Sequence, residues 1–326
     1  MKPKVLVTRK FFPELVARLQ TYFDVDDHAS NDGLPPAELK ARLVDKAGLL
    51  LSVADPLTAE TIAAAPQLRA ACNVGVGYNN IDVAACTRAG IMVTNTPDVL
   101  TETTADLAWA LLMAVSRRLP MAERWLREGQ WGAWRYDLWL GTDVHHATLG
   151  IVGMGRIGQA LARRAVGFGM KTIYHNRSRL SADIEAQLNA TWGDKETLLR
   201  EADFVVLLIP YSPAVHHYIG ATELNLMKPT AHLVNVARGG VVEDAALIAA
   251  LREHRICGGG VDVFEGEPKF NPDFLTLDNV VLTPHIGSAS YQARMAMGMR
   301  AVDNLIEALT GQRPRDCVNV EVFTQQ

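Results

Sequence analysis

Three segments in the second half of the sequence place an arginine, a glutamate and a histidine directly after strand-like runs. These side chains are Arg238 in 235–240, Glu267 in 260–268 and His285 in 282–289. In open α/β sheets, ligands bind at the carboxyl ends of the strands. Taken singly, each residue is explained at least as well as a surface or structural side chain. Together they could support reductive chemistry, because an arginine stays charged and a histidine exchanges protons near neutral pH.

A glycine-rich turn precedes these segments and predicts a nucleotide-binding site. Gly153, Gly155 and Gly158 fit the pattern G-x-G-x-x-G, which follows the apolar run Leu149–Val152 and opens the helical run Gln159–Phe168. The first glycine would permit a tight turn, the second a close approach of a pyrophosphate, and the third close packing of helix on strand. The amino end of the helix then offers N–H groups to the phosphates. A glycine turn without a ligand is the alternative.

The residues after the next strand indicate which dinucleotide to expect. An enzyme that uses NAD usually has an acidic residue there, which holds the ribose 2′-hydroxyl. This chain has His175, Asn176, Arg177, Ser178 and Arg179 instead. Two guanidiniums and a hydroxyl could bind a 2′-phosphate. We therefore predict NADPH as the cofactor, with NADH as a weaker alternative; a patch of solvated basic side chains is the other interpretation.

Strand-like runs and helical stretches alternate along the chain in two series. The first series has strands at 5–8, 49–52, 68–74 and 91–94 and helices at 12–19, 58–65 and 82–89. The second has strands at 149–152, 172–174, 204–209, 232–236, 259–263 and 280–282. A helix over 98–118 connects the two series, and a helix over 290–309 follows the second. This alternation predicts parallel sheets that are covered on both faces.

A segment rich in tryptophan follows the connecting helix. It contains Trp125, Trp131, Trp134 and Trp139. Such large aromatic side chains are usually buried from solvent, and two surfaces could bury them. One is an interface with another subunit, and the other is packing against the chain's own core.

The composition sets broad limits on the function. The chain has 326 residues, of which 48% are hydrophobic and 21% charged, and a formal net charge of -4. This length predicts two domains, and the balanced charge argues against a nucleic-acid binder. The four cysteines form no C-x-x-C pair, so free thiols are expected and no metal site is predicted. Without a secretory signal or an apolar run of roughly 20 residues, we expect a cytoplasmic protein that does not bind membranes.

The motifs, taken in order, resemble the D-isomer-specific 2-hydroxyacid dehydrogenase family over nearly the whole chain. They are the glycine turn, Asn-x-x-Arg-Gly, Phe-Glu-x-Glu-Pro and Pro-His-Ile-Gly. The stretch Gly141–His146 before the turn is similar to bacterial glyoxylate/hydroxypyruvate reductases, also called 2-ketogluconate reductases. The resemblance implies two doubly wound parallel-sheet α/β domains with a substrate cleft between them. A Rossmann cofactor domain, 98–288, would be inserted into a flavodoxin-like substrate domain, 1–97 and 289–326.

The resemblance also implies a role for each of the three side chains. Arg238 would bind the substrate carboxylate and polarise the keto oxygen. His285 would give a proton to that oxygen as hydride reaches the keto carbon. Glu267 would orient the imidazole and favour its protonated form. Since reduction needs a protonated His285, activity should fall as pH rises.

Further contacts follow from the same resemblance. The substrate is expected to meet Arg238, His285, the N–H groups of Val76 and Gly77, and Trp139 of a neighbouring subunit, which implies a homodimer. No role follows for His145, His146, His216 or His217. The residues expected to bind the cofactor are Thr104, Gly153, Gly155, Arg156, Ile157, Gly158, Asn176, Arg177, Ser178, Pro210, Val236, Ala237, Asp262 and Gly287.

The implied activity is NADPH-dependent reduction of small 2-keto acids to D-2-hydroxy acids. Glyoxylate and hydroxypyruvate are the expected substrates, with 2-ketogluconate as a further candidate. Related dehydrogenases for D-lactate, phosphoglycerate or formate are alternatives. Formate enzymes have a glutamine where Glu267 stands, D-lactate enzymes keep an acid after the second strand, and phosphoglycerate enzymes are often longer. A non-catalytic dinucleotide sensor, like the C-terminal binding corepressors, is an alternative of another class, although nothing here resembles their tails.

Overall fold

The computed structural model describes residues 2–324, which divide into two compact units. The first unit runs to Leu100 and resumes at Ser290, and the second is Thr101–Ala289. The boundaries predicted from the sequence are 97/98 and 288/289, and the observed ones are 100/101 and 289/290. The connecting helix, predicted from residue 98, begins at Thr101, and Asp98 before it has a φ of 73°.

The regular elements alternate along the chain as the two predicted series require. Short 3-10 turns lie at Pro213–Val215, Pro272–Thr276 and Val320–Phe323. In chain order, the strands and α-helices are β1 (Lys4–Val7), α1 (Pro13–Tyr22), β2 (Asp24–Asp27), α2 (Pro36–Leu43), β3 (Gly48–Ser52), α3 (Ala59–Ala63), β4 (Ala70–Val74), α4 (Val83–Arg88), β5 (Met92–Thr94), α5 (Thr101–Ser116), α6 (Leu119–Arg127), β6 (Thr148–Val152), α7 (Arg156–Gly167), β7 (Lys171–His175), α8 (Ala182–Gln187), β8 (Ala190–Trp192), α9 (Lys195–Glu201), β9 (Phe204–Leu207), α10 (Ala221–Leu224), β10 (His232–Asn235), α11 (Asp244–Arg252), β11 (Gly258–Val261), β12 (Val280–Leu282) and α12 (Tyr291–Leu309).

The first unit contains one parallel sheet of five strands in the order β2-β1-β3-β4-β5. This is the strand order of flavodoxin-like folds. Leucines of α2 pack with Leu49 and Leu51 of β3 on one face of the sheet. Helix α12 packs against β3 and β4 on the other face, beside α1. Because both faces are covered, β3 and β4 are continuous apolar runs with little alternation.

The second unit contains a parallel sheet of seven strands in the order β12-β11-β10-β9-β6-β7-β8. Helices α5 and α7 cover one face, and α9, α10 and α11 cover the other. The order is that of Rossmann dinucleotide-binding domains, extended by one strand at the β12 edge. The predicted fold class, with one Rossmann and one flavodoxin-like doubly wound unit, is therefore confirmed.

The segment 119–140 departs from this layered arrangement. None of the residues of α6 is buried. The ring of Trp139 lies 6.0 Å from that of Trp125, and the Arg118 guanidinium lies 5.2 Å from the Trp139 ring centroid. The exposed apolar side chains of the segment are Leu119, Leu126, Trp131, Trp134, Tyr136 and Leu140. Two of the four tryptophans thus pack on each other, and two face solvent. No helix within residues 2–324 has both the length and the hydropathy needed to cross a bilayer.

Candidate active site

The residues predicted to bind cofactor or react lie at the carboxyl ends of the strands of the second sheet. Because the strands are parallel, these ends share one edge of the sheet. This edge is the candidate active site, to which α5 adds Thr104. The segments are 153–158 after β6, 176–178 after β7, 210 after β9, 236–238 after β10, 262–267 after β11 and 285–287 after β12.

The glycine turn has the shape of a phosphate cradle. Gly153 has a φ of 104°, which residues with a side chain rarely adopt. A methyl group at Gly158 would lie 2.4 Å from the Gly153 carbonyl oxygen, so only a glycine lets α7 start against β6. A methyl group at Gly155 would meet nothing within 4 Å among the described residues. The turn is closed toward the sheet and open outward, which fits a pyrophosphate at the start of α7.

The segment after β7 is connected to this turn. The side-chain oxygen Oδ1 of Asn176 accepts a hydrogen bond from the N–H of Met154 at 2.7 Å. Arg177 and Ser178 follow and are exposed. Arg177 forms no ion pair within residues 2–324, so its guanidinium is available to a ligand beside the cradle.

Arg179 has a different partner from the one that the sequence suggested. Its Nε and Nη2 donate to Glu185 Oε1 and Oε2 at 2.9 and 2.7 Å, and the Tyr174 hydroxyl donates to Oε1 at 2.7 Å. The hydrogen bonds from Arg179 and Tyr174 lower the pKa of Glu185 to about 2. The prediction that two guanidiniums await a 2′-phosphate is corrected, because Arg179 is committed to Glu185 and Arg177 remains.

His285 and Glu267 form a hydrogen-bonded pair. The His285 Nδ1 lies 2.6 Å from Glu267 Oε1, and the N–H of Phe264 donates to the other carboxylate oxygen at 3.3 Å. Burial acts to raise the pKa of Glu267, but the hydrogen bond and charge of His285 outweigh it and the pKa is lowered. With Nδ1 facing Glu267, Nε2 is the nitrogen left to exchange a proton with a ligand.

The loop that carries His285 is held by Asp262, which is buried after β11. Its carboxylate accepts hydrogen bonds from the Thr283 hydroxyl at 2.7 Å and from the N–H groups of Ile286 and Gly287 at 2.8 and 2.9 Å. Burial raises the pKa of Asp262. These bonds hold His285 at a φ of 53°, a strained conformation that persists only where neighbouring structure imposes it. Asp262 positions the histidine loop, and its place beside the cofactor stays a prediction.

Thr104 and Pro210 lie at the margins of the site. Thr104 is buried in α5, and a methyl group at Gly287 would lie 3.6 Å from its Cγ2, so the helix touches the histidine loop. Pro210 is exposed after β9. The structure therefore brings Thr104 together with Gly287 and Asp262.

Arg238 is half-buried after β10, next to the buried Val236 and Ala237. Its side chain makes one hydrogen bond within the described residues, from Nη1 to the Ala237 carbonyl oxygen at 2.8 Å. Burial lowers the pKa of Arg238, and the charges of Glu267 and Asp262 oppose that shift. Since arginine stays protonated in proteins, Arg238 presents a fixed positive charge with unused donors.

Val76 and Gly77 lie in the first unit, in the loop after β4. Their carbonyl oxygens accept hydrogen bonds from the side-chain amides of Asn95 and Asn73, each at 2.8 Å. Their N–H groups donate to no group within residues 2–324. The loop is thus fixed through its carbonyl groups and leaves two amides for a ligand.

A second histidine–glutamate pair takes its glutamate from the loop that carries Glu267, and it was not predicted. His217 Nε2 is 2.6 Å from Glu265 Oε1. No role for His217 follows from the sequence. The signal that could have found the pair is Glu265, the first acidic residue of the Phe-Glu-x-Glu-Pro motif, since His285 pairs with the second, Glu267.

A doubly wound sheet with this turn defines a dinucleotide-binding domain, and comparisons with known proteins give the family. Residues 109–287 match the family described as "D-isomer specific 2-hydroxyacid dehydrogenase, NAD binding domain". A glyoxylate reductase of Thermococcus onnurineus is 46% identical over 327 residues, 99% of this chain and 98% of that protein. The chain belongs to this family, as its motifs predicted, and is an oxidoreductase with a nicotinamide-dinucleotide-binding domain.

Two solved structures resemble the chain over nearly its whole length. The TT0316 protein from Thermus thermophilus has a TM-score of 0.90 and 41% identity, covering 97% of this chain and 99% of that chain. An NADPH-dependent glyoxylate/hydroxypyruvate reductase from Sinorhizobium meliloti, in complex with NADP and malonate, has a TM-score of 0.88 and 36% identity. That alignment covers 98% of this chain and 97% of the other.

Proposed function

We propose that the chain is an NADPH-dependent reductase of small 2-keto acids, with glyoxylate and hydroxypyruvate as substrates and 2-ketogluconate as a longer candidate. The observation that carries the proposal is the His285–Glu267 pair on the same sheet edge as Arg238. A proton donor and a fixed positive charge at one edge suit an anionic keto acid. The similar proteins named glyoxylate reductase support this substrate class.

Each side chain has one task in this mechanism. Arg238 would bind the substrate carboxylate and polarise the keto oxygen through its unused donors. His285 would give its Nε2 proton to that oxygen, and Glu267 would stabilise the charged imidazole before the transfer. The nicotinamide cofactor, when bound, supplies the hydride for the keto carbon. Proton and hydride together convert the ketone to a hydroxyl, so the rate of reduction should fall as pH rises.

The two units would divide the binding tasks. We assign the second unit to the cofactor, with its phosphates on the 153–158 turn and a 2′-phosphate beside Arg177 and Ser178. We assign the first unit to the substrate, with the free N–H groups of Val76 and Gly77 as further donors to the carboxylate. The cytoplasm is the proposed location.

A homodimer is part of the proposal. The exposed apolar side chains of 119–140 favour cover by a second copy. Trp139 is proposed to reach the neighbouring subunit's active site; in the single chain it contacts Trp125, and its Nε1 is buried without a hydrogen-bond partner among the described residues. Sedimentation of the wild type and of a Trp131→Ser, Trp134→Ser double variant tests this. A monomeric wild type would contradict the proposal.

The first experiment measures steady-state oxidation of NADPH and NADH with glyoxylate, hydroxypyruvate and 2-ketogluconate. Faster turnover with NADPH supports the proposal, and the order of rates identifies the substrate. Faster turnover with NADH would contradict the interpretation of 176–178 but not the chemistry. Binding of both cofactors without turnover would favour a corepressor-like sensor.

A matched pair of arginine variants tests the cofactor preference. Arg177→Ala is expected to raise the KM for NADPH about tenfold and to leave that for NADH nearly unchanged, because one charge-assisted contact to a phosphate is lost. Arg179→Ala should leave the ratio of the two KM values unchanged, since Arg179 is paired with Glu185. The same change of ratio in both variants would count against this assignment.

A further inference from the structure

His216 lies beside the second histidine–glutamate pair, His217 and Glu265, although the hydrogen bond between those two residues does not require it. We propose that His216, His217 and Glu265 form a binding site for a divalent transition-metal ion of the zinc type. One ligand atom from each residue lies within 4.8 Å of the other two. Two imidazoles and a carboxylate form a donor set that Zn²⁺ takes in proteins, with a fourth position left for water.

The backbone brings the two imidazoles onto one side of the chain. Successive side chains of extended backbone point in opposite directions. Here the rings of His216 and His217 stack, with centroids 3.9 Å apart and planes at 25°. The φ of 52° at His217 produces this arrangement, and its N–H donates to the Gly240 carbonyl oxygen at 2.7 Å. Strained residues of this kind cluster at ligand sites.

Outer partners already orient two of the three ligands. The Tyr211 hydroxyl lies 3.3 Å from His216 Nδ1. Glu265 and Asp244 exchange two hydrogen bonds, in which the N–H of Asp244 donates to Glu265 Oε2 at 3.3 Å and the N–H of Glu265 donates to Asp244 Oδ2 at 3.0 Å. Glu265 Oε1, which faces His217, is therefore the oxygen left for an ion. Partners that fix ligand orientation in this way are typical of metal sites.

The surroundings favour one class of ion and separate this site from the reaction. Both histidines are exposed and Glu265 is half-buried, so an ion reaches them directly from solvent. Imidazole nitrogens select zinc-like ions over Mg²⁺ and Ca²⁺, which prefer oxygen ligands. Arg238 and His285 contribute no ligand atom. The site therefore adds an ion-binding property to the proposed reductase without a part in hydride transfer.

Calorimetric titration of the full-length chain with ZnCl₂, without cofactor or substrate, tests the proposal. The parent protein carries Cys257→Ser, because the exposed thiol of Cys257 would bind zinc by itself. We expect one Zn²⁺ per chain, and no binding heat with MgCl₂. His216→Gln should weaken binding about tenfold or more, by the magnitude that loss of metal-site contacts typically causes. His216 is preferred for this test because His217→Gln also breaks the hydrogen bond to Glu265.

The chain offers a matched control for adjacent histidines near a carboxylate. His145 and His146 have rings 5.2 Å apart at 86°, and His145 Nε2 lies 3.8 Å from Asp143. The double variant His145→Gln, His146→Gln should bind Zn²⁺ like the parent. Zinc should raise the thermal unfolding midpoint of the parent and of this control, and should raise that of the His216→Gln variant by less at the same zinc concentration.

Three results would overturn the assignment. They are a parent that binds no Zn²⁺, equal affinity in the parent and in His216→Gln, and loss of binding in the His145→Gln, His146→Gln control. Far-ultraviolet circular dichroism checks that each variant is folded. Any lost affinity can then be attributed to a lost ligand.

Discussion

Two histidine–glutamate pairs take their glutamates from one short loop and have the same contact distance, but they use different ring nitrogens. His285 meets Glu267 through Nδ1, and His217 meets Glu265 through Nε2, each at 2.6 Å. A contact through Nδ1 leaves the far nitrogen of the ring open to a ligand. A contact through Nε2 leaves the nitrogen next to the histidine's own backbone. The nitrogen that faces the carboxylate therefore determines where each histidine can act.

The neighbours of the two pairs also differ. The fixed charge of Arg238 acts on Glu267. A second imidazole, that of His216, stacks on His217. A fixed positive charge suits an anionic substrate, whereas a second imidazole suits a metal cation. An imidazole–carboxylate hydrogen bond therefore does not define a function by itself, because its neighbours determine which ligand it can meet.

Replacing the two histidines should produce the largest difference. His285→Gln removes the proposed proton donor and is expected to lower kcat about 10²- to 10⁴-fold. His217→Gln should lower kcat by less than about tenfold, acting mainly on the stability of the loop, since it lies outside the proposed reaction. Steady-state NADPH oxidation measures both. Comparable losses of kcat in the two variants would remove the distinction between the pairs.

Replacing the two glutamates should give a smaller contrast. Glu267→Gln keeps the shape but removes the charge that stabilises the imidazolium, so kcat should fall roughly 10- to 100-fold, a loss of about 1.4–2.7 kcal/mol. The KM for glyoxylate should change little, because Arg238 still binds the carboxylate. Glu265→Gln serves as the matched control and should leave kcat within a few fold. A rise in KM without a fall in kcat in Glu267→Gln would assign that residue to binding instead.

The loop-holding carboxylate tests whether the catalytic pair depends on its support. Asp262→Asn puts an amide group opposite N–H donors, and should cost about 1–3 kcal/mol of folding free energy while lowering kcat. Urea unfolding and NADPH oxidation measure the two effects. Thr283→Val removes only the hydroxyl donor to Asp262 and should give the milder form of both. Full activity in Asp262→Asn would show that the His285 loop keeps its conformation without the Asp262 carboxylate.

His232 has no carboxylate partner within residues 2–324, and it extends the comparison through the pH dependence of the stability of the folded chain. His232 is 2% exposed and stacks on Phe204, and burial lowers its pKa from 6.5 to about 4. As the pH falls, His232 is therefore protonated in the unfolded chain at a higher pH than in the folded chain. The contribution of the neutral, buried His232 to the free energy of unfolding is complete above pH 6.5 and is lost as the pH falls toward 4. Between about pH 7 and 4.5 the loss should be on the order of 2 kcal/mol.

Urea unfolding of the wild type and of His232→Gln at both pH values measures this effect. His232→Gln should lose less stability on acidification than the wild type does. His254→Gln alters an exposed histidine and should keep the wild-type dependence. An unchanged pH dependence in His232→Gln would contradict the assignment.

The sequence predicted the interior strands well because burial on both faces leaves continuous apolar runs. β3, β4, β6 and β9 are examples, and each lies within two residues of its predicted bounds. The strand β2 was missed because its sequence is Asp-Val-Asp-Asp, and β8 because its sequence is Ala-Thr-Trp, of which only the alanine is buried. Both are edge strands with one neighbour, so neither needs a long apolar run.

The contacts within the site were less predictable than the elements that carry it. The motifs indicated Arg238, Glu267 and His285 because each follows a recognisable strand. The pairing of Arg179 with Glu185 and the loop-holding role of Asp262 depend on how helix and loop pack in three dimensions. The catalytic and binding roles remain predictions that the variants above test.

The exposed aromatic segment determines what intrinsic fluorescence of this chain would report. Four of its six tryptophans lie within 125–139, and the exposed fractions of Trp131 and Trp134 are 56% and 74%. Emission would therefore follow the surroundings of that segment more than the packing of either sheet. Circular dichroism would follow the sheets and helices. The denaturation curve recorded by fluorescence could precede the curve recorded by circular dichroism. The surroundings of the aromatic segment would then change before the sheets and helices unfold.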